Sequence, residues 1–188
     1  MEKTGKIIVI VAPSGTGKST LIQRLKKECP ELLESVSYTT RQTREGEVDG
    51  QHYNFISEDK FLEMKGNDEF LEWAEVHGNY YGTSKSFVEK QLSEGKVLLF
   101  DLDVQGTDSF KNYFKEKARV IFIAPPSVET LQERLLGRGT ETEESLKLRL
   151  SNALGELKRK DDFDYCVIND ELERAYQELV SIVKGILG

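Results

Sequence analysis

A chain of 188 residues is long enough to bury one core and carry small subdomains on it, and its 38% hydrophobic and 31% charged residues are ordinary for a soluble globular protein. A formal net charge of -7 argues against non-specific binding to nucleic acid or to an anionic membrane, since both need a basic face, but a small anion can still be held where basic groups gather. Cys29 and Cys166 read as small hydrophobes in a reduced, cytoplasmic chain, and neither they nor His52 and His77 have the spacing of a zinc site.

The first element is Ile7 to Val11, β-branched and unbroken, as expected of a strand covered on both faces of a parallel sheet. The apolar run through Ala12 is too short for a signal peptide or a membrane span. After a glycine-containing loop, Leu21, Ile22 and Leu25 space a helix over Thr20 to Glu28, stopped near Pro30. Ser35 to roughly Tyr81 is rich in Thr, Tyr, Arg and Gly and alternates like small antiparallel strands, with one helix near Ser57 to Lys65. Val97 to Asp101 and Val120 to Ile123 are short apolar strands, each followed by a helical stretch. Gly137 to about Lys160 is intensely charged and helical, and Thr140 with Glu143 is a capping-box signature for its start. Asp164 to Ile168 is a further strand, with a last helix from about Glu171 to Leu187.

Strands alternating with helices predict an α/β fold, a parallel sheet flanked by helices. Residues 1–34, 85–136 and 161–188 form its core, 35–84 a substrate-binding insertion and 137–160 a helical lid, all one folding unit.

The loop Ala12-Pro13-Ser14-Gly15-Thr16-Gly17-Lys18-Ser19, continued by Thr20, carries the chemistry of a phosphate site. Its glycines let backbone N–H groups converge on an anion, and Lys18 reaches the β- and γ-phosphates of a nucleoside triphosphate. Ser19 offers a hydroxyl to Mg²⁺, and the following helix adds its positive end. Ala12 departs from the glycine usual at the first position, and a small residue there still permits the turn. A glycine-rich turn with an incidental lysine is the alternative, and the strand and helix on either side argue against it. Asp101, ending its strand, is placed as a Walker B carboxylate would be to hold Mg²⁺; a turn or helix-cap role stays open beside it.

The phosphate loop does not name the acceptor. Arg41 and Arg44 stand beside several hydroxyls, and with Tyr53 and Tyr81 they suit a phosphate. The pattern Ser-Val-Ser-x-Thr-Thr-Arg-x-x-Arg-x-Gly-Glu-x-x-Gly-x-x-Tyr runs from Ser35 to Tyr53. Phe70 to Ala74, Gly78 to Thr83, Asp101 to Gly106, Ala124 to Ser127 and Gly137 to Glu143 continue it. Together these segments strongly resemble the guanylate kinase family, from about residue 5 to the C-terminus.

That resemblance implies transfer of the γ-phosphate of ATP to GMP, with Mg²⁺ accompanying ATP. It makes 35–84 the GMP-binding insertion. Arg41, Arg44, Tyr53 and Tyr81 would bind the GMP phosphate, and Ser37, Glu72, Gly82, Thr83 and Asp103 would read or border the base. Arg138 and Arg149 match the lid arginines, and Asn169 matches a position near the adenine. Two rivals remain in view. One is a related protein-interaction module that binds phosphopeptides in the same cleft without catalysis, against which the intact phosphate loop and the lid arginines speak. The other is a small P-loop kinase for a different acceptor, which has no reason to carry the Ser35–Tyr53 pattern.

Overall fold

The computed structural model describes residues 5–76, 78–136 and 143–188. Its larger sheet holds β1 (Lys6–Val11), β2 (Leu32–Glu34), β7 (Val97–Leu102), β8 (Ala118–Ala124) and β9 (Tyr165–Ile168), in the order β2-β7-β1-β8-β9 and parallel throughout. Ile7 to Val11 are 0% exposed, and the pleat divides them between two cores. Ile8 and Ile10 pack with Leu21 and Leu25 of α1 (Lys18–Glu28) and with Leu179 and Val183 of α7 (Leu172–Leu187). Ile7, Val9 and Val11 pack with Val88 of α3 (Lys85–Ser93) and Phe110 of α4 (Val104–Phe114). Burial on both faces is why this strand has no polar alternation.

The smaller sheet is built from β3 (Tyr38–Thr39), β4 (Asn54–Phe55), β5 (Phe70–Val76) and β6 (Asn79–Ser84), in the order β4-β3-β6-β5. The expected antiparallel character is correct for β3 with β6 and for β5 with β6, but β3 and β4 run parallel. The chain between them is long enough to return in the same direction, so a hairpin is not forced. This sheet has its own small core, in which Phe61 and Met64 of α2 (Glu58–Gly66) pack against Phe70. Ser57 caps α2, its hydroxyl accepting from the Lys60 N–H.

Two elements go beyond the sequence expectation. β2 is a three-residue edge strand whose only apolar anchor is Leu32, too short for a periodic signal. α3 buries Val88 and Leu92, four apart, and is capped by Ser84. Helices α5 (Val128–Leu136) and α6 (Glu143–Leu157) pack through Leu131, Leu135 and Ala153. Thr140, the first half of the expected capping box, lies outside the described residues.

Candidate active site

The loop after β1 and the segment after β7 lie side by side at the carboxyl ends of neighbouring parallel strands, where ligands bind in open α/β sheets. Gly15 and Gly17 both adopt φ of +88°, left-handed conformations that a side chain would oppose. Ala12 has no such conformation, so the glycine common at that position is not needed here for backbone freedom. Gly17 is the N-cap of α1, which places Lys18 and the exposed Ser19 and Thr20 in its first turn. Lys18 makes an ion pair with Asp101 and donates to the Leu102 carbonyl at 3.1 Å. The lysine of the loop is thus joined to the strand-end carboxylate proposed for the metal.

Asp101 also lines a cleft of about 560 Å³, the size of a nucleotide-like ligand. Ser37, Tyr53, Glu72, Tyr81, Gly82, Thr83 and Asp103 line the same cleft. Residues 66 positions apart in sequence, from Ser37 to Asp103, therefore share one wall, as their assignment to one ligand requires. A β-bulge between Phe70 and Glu72 explains how β5 serves both sides. Phe70 enters the small core, Leu71 the main core, and Glu72 the cleft opposite Thr83.

Glu72 accepts from the Thr83 hydroxyl at 2.6 Å. Burial, reinforced by the nearby Asp103 charge and opposed by that hydrogen bond, holds its carboxyl above the usual carboxylate range. Asp103 caps α4, accepting from the Gly106 N–H at 2.6 Å with one oxygen. Gly82 is demanded by packing: a Cβ there would lie 2.9 Å from Phe70 and 3.1 Å from Phe61.

Arg41 and Arg44 are joined to this cleft through Glu47, which lines it. The Arg41 guanidinium makes a bidentate pair with Glu47 at 2.8 and 3.0 Å and sits over the rings of Tyr53 and Phe55. Glu47 also accepts from the Arg44 N–H at 2.7 Å, and the two bonds hold its carboxyl down at about 2. Glu47 lines the cleft, and the sequence reading gave it no role although it stands in the Ser35–Tyr53 pattern. Its signal was its place three residues after Arg44 within a glycine turn. Tyr53 and Tyr81 meet edge to face with centroids 5.9 Å apart.

Arg138 lies outside the described residues. Arg149 stands on α6 three residues before Asn152 and seven before Glu156, spacings that put all three on one helical face. Asn152 and Glu156 line a separate hollow that shares Asp103 with the cleft, and Arg149 does not line it. Burial and the Asp103 charge push the Glu156 carboxyl up, while Lys18 opposes them. Asn169, expected near the adenine, is 5% exposed and turns its side-chain amide to the back of the phosphate loop, donating to the Thr16 carbonyl at 2.6 Å. Among the described residues no helix is long and apolar enough to cross a membrane.

Comparison with known proteins agrees with this geometry. The guanylate kinase family model matches residues 4–185. A guanylate kinase of Chromobacterium violaceum is 48% identical over 184 residues, covering 98% of this chain and 87% of the relative. One of Helicobacter pylori is 46% identical over 187 residues, covering 100% of this chain and 90% of the relative. The crystal structure of guanylate kinase from Anaplasma phagocytophilum superposes with a TM-score of 0.68 at 30% identity, over 98% of this chain and 87% of that one.

Proposed function

The chain belongs to the guanylate kinase family, and we propose that its phosphate loop and its insertion cleft are the donor and acceptor halves of one ATP:GMP phosphotransferase site. The reaction is ATP + GMP to ADP + GDP. One observation carries the division of labour: Asp101 pairs with Lys18 of the loop and lines the cleft of Glu72 and Thr83, so the two halves meet at a single carboxylate.

In the donor half, backbone N–H groups between Ser14 and Ser19 and the Lys18 ammonium hold the triphosphate of ATP, with Ala12, Pro13 and Thr20 at its edges. In the acceptor half, Arg41, Arg44, Tyr53 and Tyr81 take the GMP phosphate, and the bidentate pair with Glu47 fixes the plane of the Arg41 guanidinium. Ser37, Glu72, Gly82, Thr83 and Asp103 surround the base. Guanine presents donors at N1–H and its amino group, both of which an ionised Glu72 accepts. Adenine presents a lone pair at N1 and lacks the amino group, so it leaves that carboxylate unmatched.

The attacking atom is a phosphate oxygen already ionised at neutral pH, so no strong general base is needed. The barrier is instead the meeting of two anions, lowered by in-line positioning and by the charges of Lys18, Arg41, Arg138 and Arg149. Mg²⁺ would neutralise charge on the β- and γ-phosphates. The exposed Ser19 hydroxyl and the Asp101 carboxylate fit it, being hard oxygen donors at the phosphate loop, few enough to leave places for phosphate and water. Residues 35–84 and 137–160 act as the acceptor clamp and the lid that exclude water from the transferring phosphate. The free thiols of Cys29 and Cys166 support a reducing, cytoplasmic setting.

A coupled assay of ADP release with GMP, AMP, CMP and UMP tests this reading. GMP is expected to support turnover at least a hundredfold better than the others. Turnover with none of the four would favour a binding module, and preference for another monophosphate would move the base site.

A further inference from the structure

We propose that Asn169 is a positioning residue that sets the direction of the phosphate-loop amides, serving ATP through its triphosphate and not through its adenine. The inference rests on reading Ala12–Ser19 as the triphosphate loop.

Asn169 follows the last residue of β9, and its N–H donates to the Ala124 carbonyl at 2.8 Å, extending the sheet ladder by one step. Its backbone is therefore as fixed as the sheet. Its side chain is 5% exposed, and the amide nitrogen donates to the Thr16 carbonyl at 2.6 Å. The facing atom must be the nitrogen, because a carbonyl oxygen can only accept.

In a planar trans peptide the C=O and the following N–H point in opposite directions. Holding the Thr16 carbonyl toward Asn169 therefore turns the Gly17 N–H to the opposite side of the loop, the side an anion must occupy. Reversal of that peptide would aim a carbonyl dipole at the phosphate, replacing attraction by repulsion. The danger is real at this peptide because it joins Gly17, which has φ of +88° and little steric resistance to rotation.

The contact is also tight. A Cβ on Gly17 would lie 2.6 Å from the Asn169 amide nitrogen, so asparagine fills the space behind the loop. Thr16, 1% exposed, braces the loop's other shoulder, its N–H and hydroxyl both donating to the Pro13 carbonyl at 3.4 and 2.9 Å. By the same geometry the Ser14 N–H faces away from that bond.

The test is calorimetric titration of inorganic tripolyphosphate, and separately of ATP, into the protein saturated with GMP, which keeps tripolyphosphate off the acceptor arginines. Asn169→Asp keeps the shape and replaces the donor by an acceptor; Asn169→Ala removes the brace without introducing charge and serves if the first variant does not fold. Both ligands are expected to weaken by the same factor, roughly tenfold or more for one buried hydrogen bond, with GMP affinity unchanged. A loss confined to ATP, with tripolyphosphate binding intact, would mean that the residue reads adenine and would overturn the proposal. Unchanged binding of both ligands, or an equal loss of GMP affinity, would overturn it too. Failure of the wild-type protein to bind tripolyphosphate would instead overturn the assignment of the loop itself.

Discussion

At the scale of single residues the cleft is a contest between burial and charge. Glu72 has its carboxyl raised by burial, yet guanine binding needs it ionised. The proton must leave before GMP can bind, so GMP affinity is expected to strengthen as pH rises through the raised pKa of Glu72. A pH series of KM for GMP checks this, and Glu72→Gln should flatten the dependence while raising that KM roughly a hundredfold and leaving KM for ATP nearly unchanged. Glu47 shows the reverse case. Its pKa is depressed to about 2, so what the Arg41 pair contributes is complete above the unfolded value of 4.5 and is lost as pH falls toward about 2. At neutral pH, Glu47→Gln is expected to raise KM for GMP roughly tenfold with KM for ATP unchanged in steady-state kinetics, because the Arg41 fork and the Arg44 N–H lose a shared anchor. The arginines were legible in the sequence because their spacing beside hydroxyls suits phosphate. Glu47 was not, since an acidic residue in a glycine turn is usually solvated, and only the folded loop shows its two bonds.

At the scale of elements the insertion depends on a small aromatic core. Phe61 stacks on Phe70 with centroids 4.4 Å apart and on Tyr80 at 5.3 Å, and Gly82 of β6 passes directly beneath. Gly82→Ala overpacks this contact and is expected to cost about 1–3 kcal/mol in the insertion. Trp73 of β5, the chain's one tryptophan, reports on that region, so its fluorescence in a urea titration should show the loss. The apolar strands β1 and β8 and the amphipathic α7 were readable because unbroken apolar runs rich in β-branched residues mark the first two and a helical period marks the third. β2, β3 and β4 were not readable as such. Their two or three residues are too few to carry a period, and they exist because neighbouring strands supply hydrogen-bond partners.

At the scale of the molecule, an arginine two residues past α6 adds a polar tie between that helix and the core. Arg159 makes a bidentate pair with Asp108 of α4 at 2.8 and 2.9 Å and a further bond to Asp162. The pair is partly exposed, so Arg159→Ala is expected to cost only about 1 kcal/mol and to lower the calorimetric Tm by about 2–4 °C. Arg159 depresses the Asp108 pKa, so this difference should shrink as pH falls below the ordinary carboxylate range, when the unpaired form becomes protonated. Asp103 caps α4, so the tie from Arg159 and the carboxylate proposed to border the base share one helix as their support. The phosphate loop and the parallel core were legible in the sequence alone, because each is written in a local pattern of spacing and residue chemistry, whereas the residues proposed for the guanine site came from the resemblance to a family. Convergence was decided by tertiary structure. The bulge that aims Glu72, the ion pair joining Lys18 to Asp101, and the turn of Asn169 toward Thr16 all involve backbone geometry or partners distant in the chain. No local pattern encodes such contacts, since they arise only when separate elements pack and their buried polar groups must find one another.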